Sequence, residues 1–142
     1  MFLLFLLSFL TACAPASADT FWEKVSWNSP EGIVLVALHH PAARSSAKTW
    51  VLLHGLGSVK EEWEAFAKEL APQGNGIFLY DARGHQESNH LTTGQAISYH
   101  TWQRTGPGTA WDGMPADLAS AVQFLHEQGI DWIAEESGQK QP

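Results

Sequence analysis

Apolar and polar positions follow no single rhythm along this chain, and the stretches where a period emerges predict its elements. Phe21–Trp27 mixes aromatic and β-branched residues with charges, as a partly exposed strand does. Asn28-Ser29-Pro30-Glu31-Gly32 is dense in turn formers and Ile33–Leu38 is an apolar, β-branched run, so the two stretches predict an antiparallel hairpin. Pro41–Lys48 is a loop of small and polar residues. Trp50–Leu53 and Ile77–Tyr80 are apolar runs without alternation, the mark of strands buried on both faces, as in a parallel sheet. Between them Trp63, Phe66, Ala67 and Leu70 recur at i, i+3, i+4 and i+7, one apolar stripe of a helix. Ser58-Val59-Lys60-Glu61 has capping-box spacing at its start, and Pro72 and Gly74 end it. Strand, helix and strand in this order predict a βαβ unit.

Asn89–Asp112 keeps no period, contains Gly106-Pro107-Gly108, and reads as a long loop beside the strand ends. Met114-Pro115 opens a second helix, whose stripe is Leu118, Ala121, Val122 and Leu125 and whose stop is Gly129. Ile130–Pro142 turns polar, so no third parallel strand is predicted. The expected fold class is α/β: a hairpin, a βαβ unit and one further helix in three layers, α/β/α, forming an incomplete sheet.

The first residues are of another kind. Met1–Leu10 is almost wholly Phe and Leu, too short to cross a bilayer, which takes about 20 apolar residues. With Thr11-Ala12-Cys13 behind it, the run reads as the apolar core and cleavage site of a signal peptide. Leu10-Thr11-Ala12-Cys13 resembles the lipobox of bacterial lipoproteins, which implies acylation of Cys13 at the mature N-terminus and a membrane-anchored place in the cell envelope. An ordinary cleaved signal with secretion is the alternative. The expected division is residues 1–12 signal peptide, 13–20 lipid-anchor tether and 21–142 a partial α/β domain.

Composition narrows the partners. The net charge of −7 and the scatter of the eight Lys and Arg argue against a nucleic-acid surface. Seven Trp in 142 residues point to aromatic packing first and a binding cleft second. Cys13 is the only cysteine, so there is no disulfide framework. No cofactor or metal is indicated: His39-His40 are adjacent strand residues, which face opposite sides and do not readily chelate one ion.

Candidate chemistry lies where the two apolar strands end. One runs into His54-Gly55-Leu56-Gly57-Ser58, the other into Asp81-Ala82-Arg83-Gly84-His85 and then Ser88. Sites in open parallel sheets form beyond the carboxyl ends of strands, and glycines there let backbone N–H groups approach a ligand. A tight turn before a capped helix aims free N–H groups at one spot, as an oxyanion site does. From the residues alone, His54 is a candidate general base, and Asp81 stands either as an acid or as a turn-fixing carboxylate. His85 sits in a turn where a structural role is expected, and Ser58 suits a helix cap better than a nucleophile.

The paired turns resemble those of the α/β-hydrolase superfamily, in particular its serine hydrolases with an HG-x-G turn after the third strand. The resemblance runs from about Val25 to Gly129. It implies an oxyanion-hole N–H on Leu56 and turn-shaping roles for His54, Gly55, Gly57, Asp81, Arg83, Gly84, His85 and Ser88. Gln86 departs from the family's pattern, standing where a third turn glycine is usual, at a position expected to need positive φ. No Gly-x-Ser-x-Gly nucleophile elbow occurs. The expected function is therefore the N-terminal fragment of an exported serine hydrolase, cleaving small-molecule esters or peptide bonds once completed and inactive alone. A membrane-anchored binding module on a degenerate hydrolase scaffold is the alternative. Tyr99, Trp102 and Trp111 are expected to pack under the long loop, with an apolar acyl pocket as their second reading.

Overall fold

The computed structural model describes residues 21–102 and 110–133. The expected signal segment and tether, Cys13, Gly106-Pro107-Gly108 and residues 134–142 lie outside the described residues. The hairpin is present, with β1 at Glu23–Asn28 and β2 at Ile33–His40. Ser29 closes it: its hydroxyl accepts from the Ile33 N–H at 3.1 Å, and its backbone exchanges bonds with Gly32 and Ile33. The hairpin joins a mixed sheet ordered β1-β2-β4-β3-β6, where β3 is Thr49–Leu53, β4 is Gly76–Tyr80 and β6 is Trp132–Ile133. β2 is antiparallel to β1 and β4, while β3, β4 and β6 are mutually parallel.

Two helices flank the sheet, α1 at Glu64–Leu70 and α2 at Met114–Glu127, and they lie on opposite faces. The alternation of side chains along β4 sets this arrangement. Ile77 and Leu79 pack with Ala67 and Leu70 of α1, whereas Phe78 and Tyr80 pack with Ala121 and Leu125 of α2. Every β4 residue is buried, as an unbroken apolar run in a central strand requires. Trp27 of β1 stacks on Phe124 and donates its indole N–H to Ser120 at 2.9 Å, fastening the hairpin to α2. The three-layer α/β/α arrangement is thus built around one strand.

Three expectations change. A third parallel strand does begin: Thr49 pairs with Trp132 and Trp50 with Ile133. Two residues are too few to show a period. Trp50–Leu52 of β3 are half-buried and Leu53 is exposed, so among the described residues this strand is not enclosed on both faces. The long loop is also partly ordered. His90–Leu91 forms β5 on the edge of β2 beside β4, and a 3-10 turn follows at Tyr99–Thr101.

The third correction is the capping box. The helical segment starts two residues after Ser58, as a 3-10 turn over Lys60–Trp63, and its N-cap Val59 makes no side-chain cap. The leading N–H, on Lys60, is capped from another element by the Asp81 carboxylate at 2.9 Å. Glu62, rather than Glu61, reaches back, accepting from the Gly55 N–H at 2.9 Å and bonding the Ser58 hydroxyl. Those two bonds hold the Glu62 carboxyl below the usual carboxylate range.

Candidate active site

The first turn follows directly from its glycines. Ser58 N–H donates to Gly55 O at 3.0 Å, closing a β-turn over residues 55–58, and Gly57 sits at φ +79. That φ at the third position is what a type II turn demands, and glycine meets it without strain. A Cβ on Gly57 would also lie 3.3 Å from the Tyr99 hydroxyl. Within the turn the Gly55 N–H is taken by Glu62, the Gly57 N–H by His85 Nε2 at 3.2 Å, and the Ser58 N–H by Gly55. The Leu56 N–H alone of these four has no acceptor among the described residues. Leu56 itself is 65% exposed and lines the cavity beside the turn.

The second turn is a polar knot under that donor. Asp81 is fully buried at the end of β4. Its carboxylate accepts from the Lys60 N–H, from Lys60 Nζ at 2.7 Å and from the Glu87 N–H at 3.3 Å. Lys60 is buried too, and also meets Glu87 at 2.7 Å and Glu61 at 3.1 Å. Burial disfavours the Lys60 ammonium, but the hydrogen bonds it donates to Asp81, Glu87 and Glu61 outweigh it and lift its pKa above the ordinary lysine value. Glu87 is held below the usual carboxylate range by Lys24 first and Lys60 second. Ser88 accepts from the Val36 N–H at 2.9 Å and exchanges backbone bonds with Gly84 and His85, tying the turn to β2.

Arg83 points the other way, towards α2. Its Nε and Nη2 meet Asp117 at 2.6 and 2.7 Å, while Nη1 reaches Glu31 at 2.8 Å and Ala110 O at 3.0 Å. Arg83 and Asp117 are each 1% exposed. Burial opposes the guanidinium charge, yet the bonds to Asp117 and Glu31 raise the pKa further. Gly113 makes room for this fork, since a Cβ there would lie 2.1 Å from Nη1. Gly84, at φ +72, is needed for a similar reason: a Cβ would lie 2.7 Å from Tyr99 N and 2.8 Å from the Trp102 ring. Gln86 takes φ +37, the left-handed value expected of it and the one such non-glycine among the described residues.

Neither histidine is free to act as a base. His54 Nε2 accepts from the Ala82 N–H at 2.9 Å and its Nδ1 bonds Gly55 O at 2.8 Å. His85 Nε2 accepts from the Gly57 N–H and its Nδ1 bonds Arg83 O at 2.9 Å. An amide can only donate and a carbonyl can only accept, so each ring is neutral with its proton on Nδ1. Burial pushes the His85 pKa down, and the nearby His54 adds to that. The 3.9 Å approach of His54 Nε2 to Asp81 is therefore no ion pair while Nε2 serves as an acceptor.

Above the turns lies a cavity of about 370 Å³ lined by His54, Gly55, Leu56, Ala82, His85, Trp111 and Met114. The aromatic cluster divides its work here. Tyr99 stacks flat on His85 at 4.0 Å and Trp102 covers Gly84 and meets Trp111 edge-on, whereas Trp111 itself lines the cavity. Sequence reasoning missed Lys60, Glu62, Glu87, Asp117 and Met114. The charged ones look like ordinary surface residues, and only their partners' positions reveal them. Among the described residues no cluster of three or more His, Cys, Asp or Glu is arranged to hold a metal ion.

No family model and no curated protein matches the chain. Solved structures do. An α/β hydrolase from Novosphingobium aromaticivorans superposes with a TM-score of 0.51 at 17% identity, over 80% of this chain and 34% of that one. An esterase from Pyrococcus furiosus superposes with a TM-score of 0.52 at 19% identity, over 75% of this chain and 34% of that one. The chain spans about a third of the length of these two structures. Its mixed sheet and two flanking helices are part of the α/β-hydrolase fold.

Proposed function

We propose that this chain supplies the oxyanion-binding front part of an exported serine hydrolase that cleaves carboxylic esters or amides. The observation that carries the proposal is the Leu56 N–H, the uncommitted donor of its turn, at the wall of the cavity. In acyl transfer a serine gives its proton to a base as its oxygen adds to the substrate carbonyl, and the carbonyl π pair moves onto the carbonyl oxygen. The Leu56 N–H would donate to that oxyanion, and collapse would expel the alcohol or amine, which takes the proton from the base, and leave an acyl-serine for water to hydrolyse. The serine, its base and the acid would come from a longer chain, since His54 and His85 have both ring nitrogens engaged and Ser88 is buried. Leu56, Trp111 and Met114 suit an apolar acyl group.

Export by residues 1–12 and anchoring through a lipid on Cys13 belong to the same proposal. A membrane-anchored module that binds without catalysis is the second reading, favoured by the saturation of both histidines. Labelling with a serine-directed fluorophosphonate separates the two. The 142-residue chain should not label, and the chain continued through the reading frame after Pro142 should label at a serine within Gly-x-Ser-x-Gly. Specific labelling of any serine in the present chain would overturn the hydrolase assignment. A continuation lacking that motif would leave the binding module standing in its place.

A further inference from the structure

The histidine bonds have a symmetry that neither turn alone explains. His54, in the first turn, accepts from a backbone N–H of the second turn, and His85, in the second, accepts from a backbone N–H of the first. The ring centroids are 4.9 Å apart. Each ring spends its Nδ1 proton on a carbonyl of its own turn, Gly55 O or Arg83 O, which fixes the plane in which Nε2 reaches across. We propose that His54 and His85 are reciprocal positioning residues whose rings clamp the two turns together, and that protonating the His85 ring releases the Gly55–Ser58 turn with its Leu56 N–H.

The chemistry of the bond decides the direction. A proton on Nε2 sets an N–H against the N–H of Ala82 or Gly57, turning an attraction between donor and acceptor into a clash of donors. The surroundings of both rings are defined. His54 faces His85, the Asp81 carboxylate and, through the Gly55 turn, Glu62. His85 faces His54, Asp81, the Tyr99 ring and the edge of Trp111. Asp81 is the group that would favour imidazolium, but its oxygens are already held by the Lys60 ammonium and by the Lys60 and Glu87 amides. Burial disfavours the charged form of His85. The His85 half of the clamp is therefore fully present above the ordinary histidine value of about 6.5 and is lost as pH falls below it, through the lowered folded-state value.

Ring and amide NMR on the 142-residue chain tests the clamp without substrate. At about pH 8 both rings should be neutral Nδ1–H tautomers, with the Gly57 and Ala82 amides protected from exchange. As pH falls below about 6.5 the Gly57 amide should lose protection by roughly tenfold or more in step with His85 titration, while β4 amides stay protected. An Nε2–H tautomer in either ring, or a His85 ring that titrates with the Gly57 amide undisturbed, would overturn the proposal. His85→Gln offers an uncharged acceptor near the Nε2 position and should keep Gly57 protected above and below that pH, whereas His85→Phe should expose it in both ranges. Equal protection in the Gln and Phe variants would refute the positioning role. The consequence for turnover rests on the hydrolase reading, but these measurements do not, so failure of that reading leaves them unchanged.

Discussion

Leu56 and Gln86 show how much a single backbone angle can carry. Leu56 occupies the second position of a type II turn, where proline is favoured and the N–H takes no part in closing the turn. Leu56→Pro should therefore keep the turn while deleting the proposed oxyanion donor. In the continued, active chain we expect kcat to fall by about 10²–10³ with KM little changed, the usual cost of one such donor. A variant with unaltered kcat would remove Leu56 from the mechanism. Gln86 bears the opposite problem, a side chain at φ +37. Its side chain is exposed, so Gln86→Gly sacrifices little packing and relieves the left-handed strain. Stability should rise by about 0.5–1 kcal/mol, the strain of roughly 1–2 kcal/mol less the extra chain entropy of glycine. Urea denaturation should show a higher midpoint at constant slope.

Between elements, the main fastener is the buried fork of Arg83 on Asp117, which joins the end of β4 to the first turn of α2. Removing one member of such a pair leaves a buried charge uncompensated, typically at a cost of about 3–5 kcal/mol. We expect Asp117→Leu to destabilise by that amount in denaturant titration. The double variant Arg83→Met/Asp117→Leu should cost clearly less than the sum of the two single changes, because neither charge is then stranded. Additive costs would mean that Glu31 and Ala110 O, not Asp117, hold the guanidinium. Arg83→Lys should not rescue, since an ammonium cannot span both carboxylate oxygens at once. The Lys60–Asp81 pair plays the matching part between β4 and the 3-10 turn before α1, so each end of the second turn is pinned to a different helical layer.

For the whole molecule, the proposed lipid on Cys13 makes a direct prediction. Expressed in a bacterial host, the chain should incorporate an alkyne-tagged fatty acid and fractionate with membranes, and Cys13→Ala should lose both properties. Unchanged labelling of the Cys13→Ala chain would remove the lipoprotein reading. The fold of residues 21–133 was legible wherever a period is long enough to count. The apolar run of β4 and, within the two helical stripes, Ala67, Leu70, Ala121 and Leu125 are buried as their period expects, whereas Phe66 and Leu118 of the same stripes stay exposed because neither packs into the core clusters. The glycine and histidine spacing of the turns was legible too, since φ +79 at Gly57 is a local demand. Other features were settled only when distant segments met. Lys60 and Asp81 are 21 residues apart, and Arg83 and Asp117 are 34 apart. No local rule tells a buried ion pair from two solvated charges. β6 is too short to show a period, and Asp81 displaced Ser58 as the helix cap because the sheet carried a carboxylate to the helix start. The sequence by itself determined the longer strands and helices and where the tight turns fall, because those signals are local. Only the tertiary structure decided which donors are already taken, and so left the Leu56 N–H without an acceptor among the described residues.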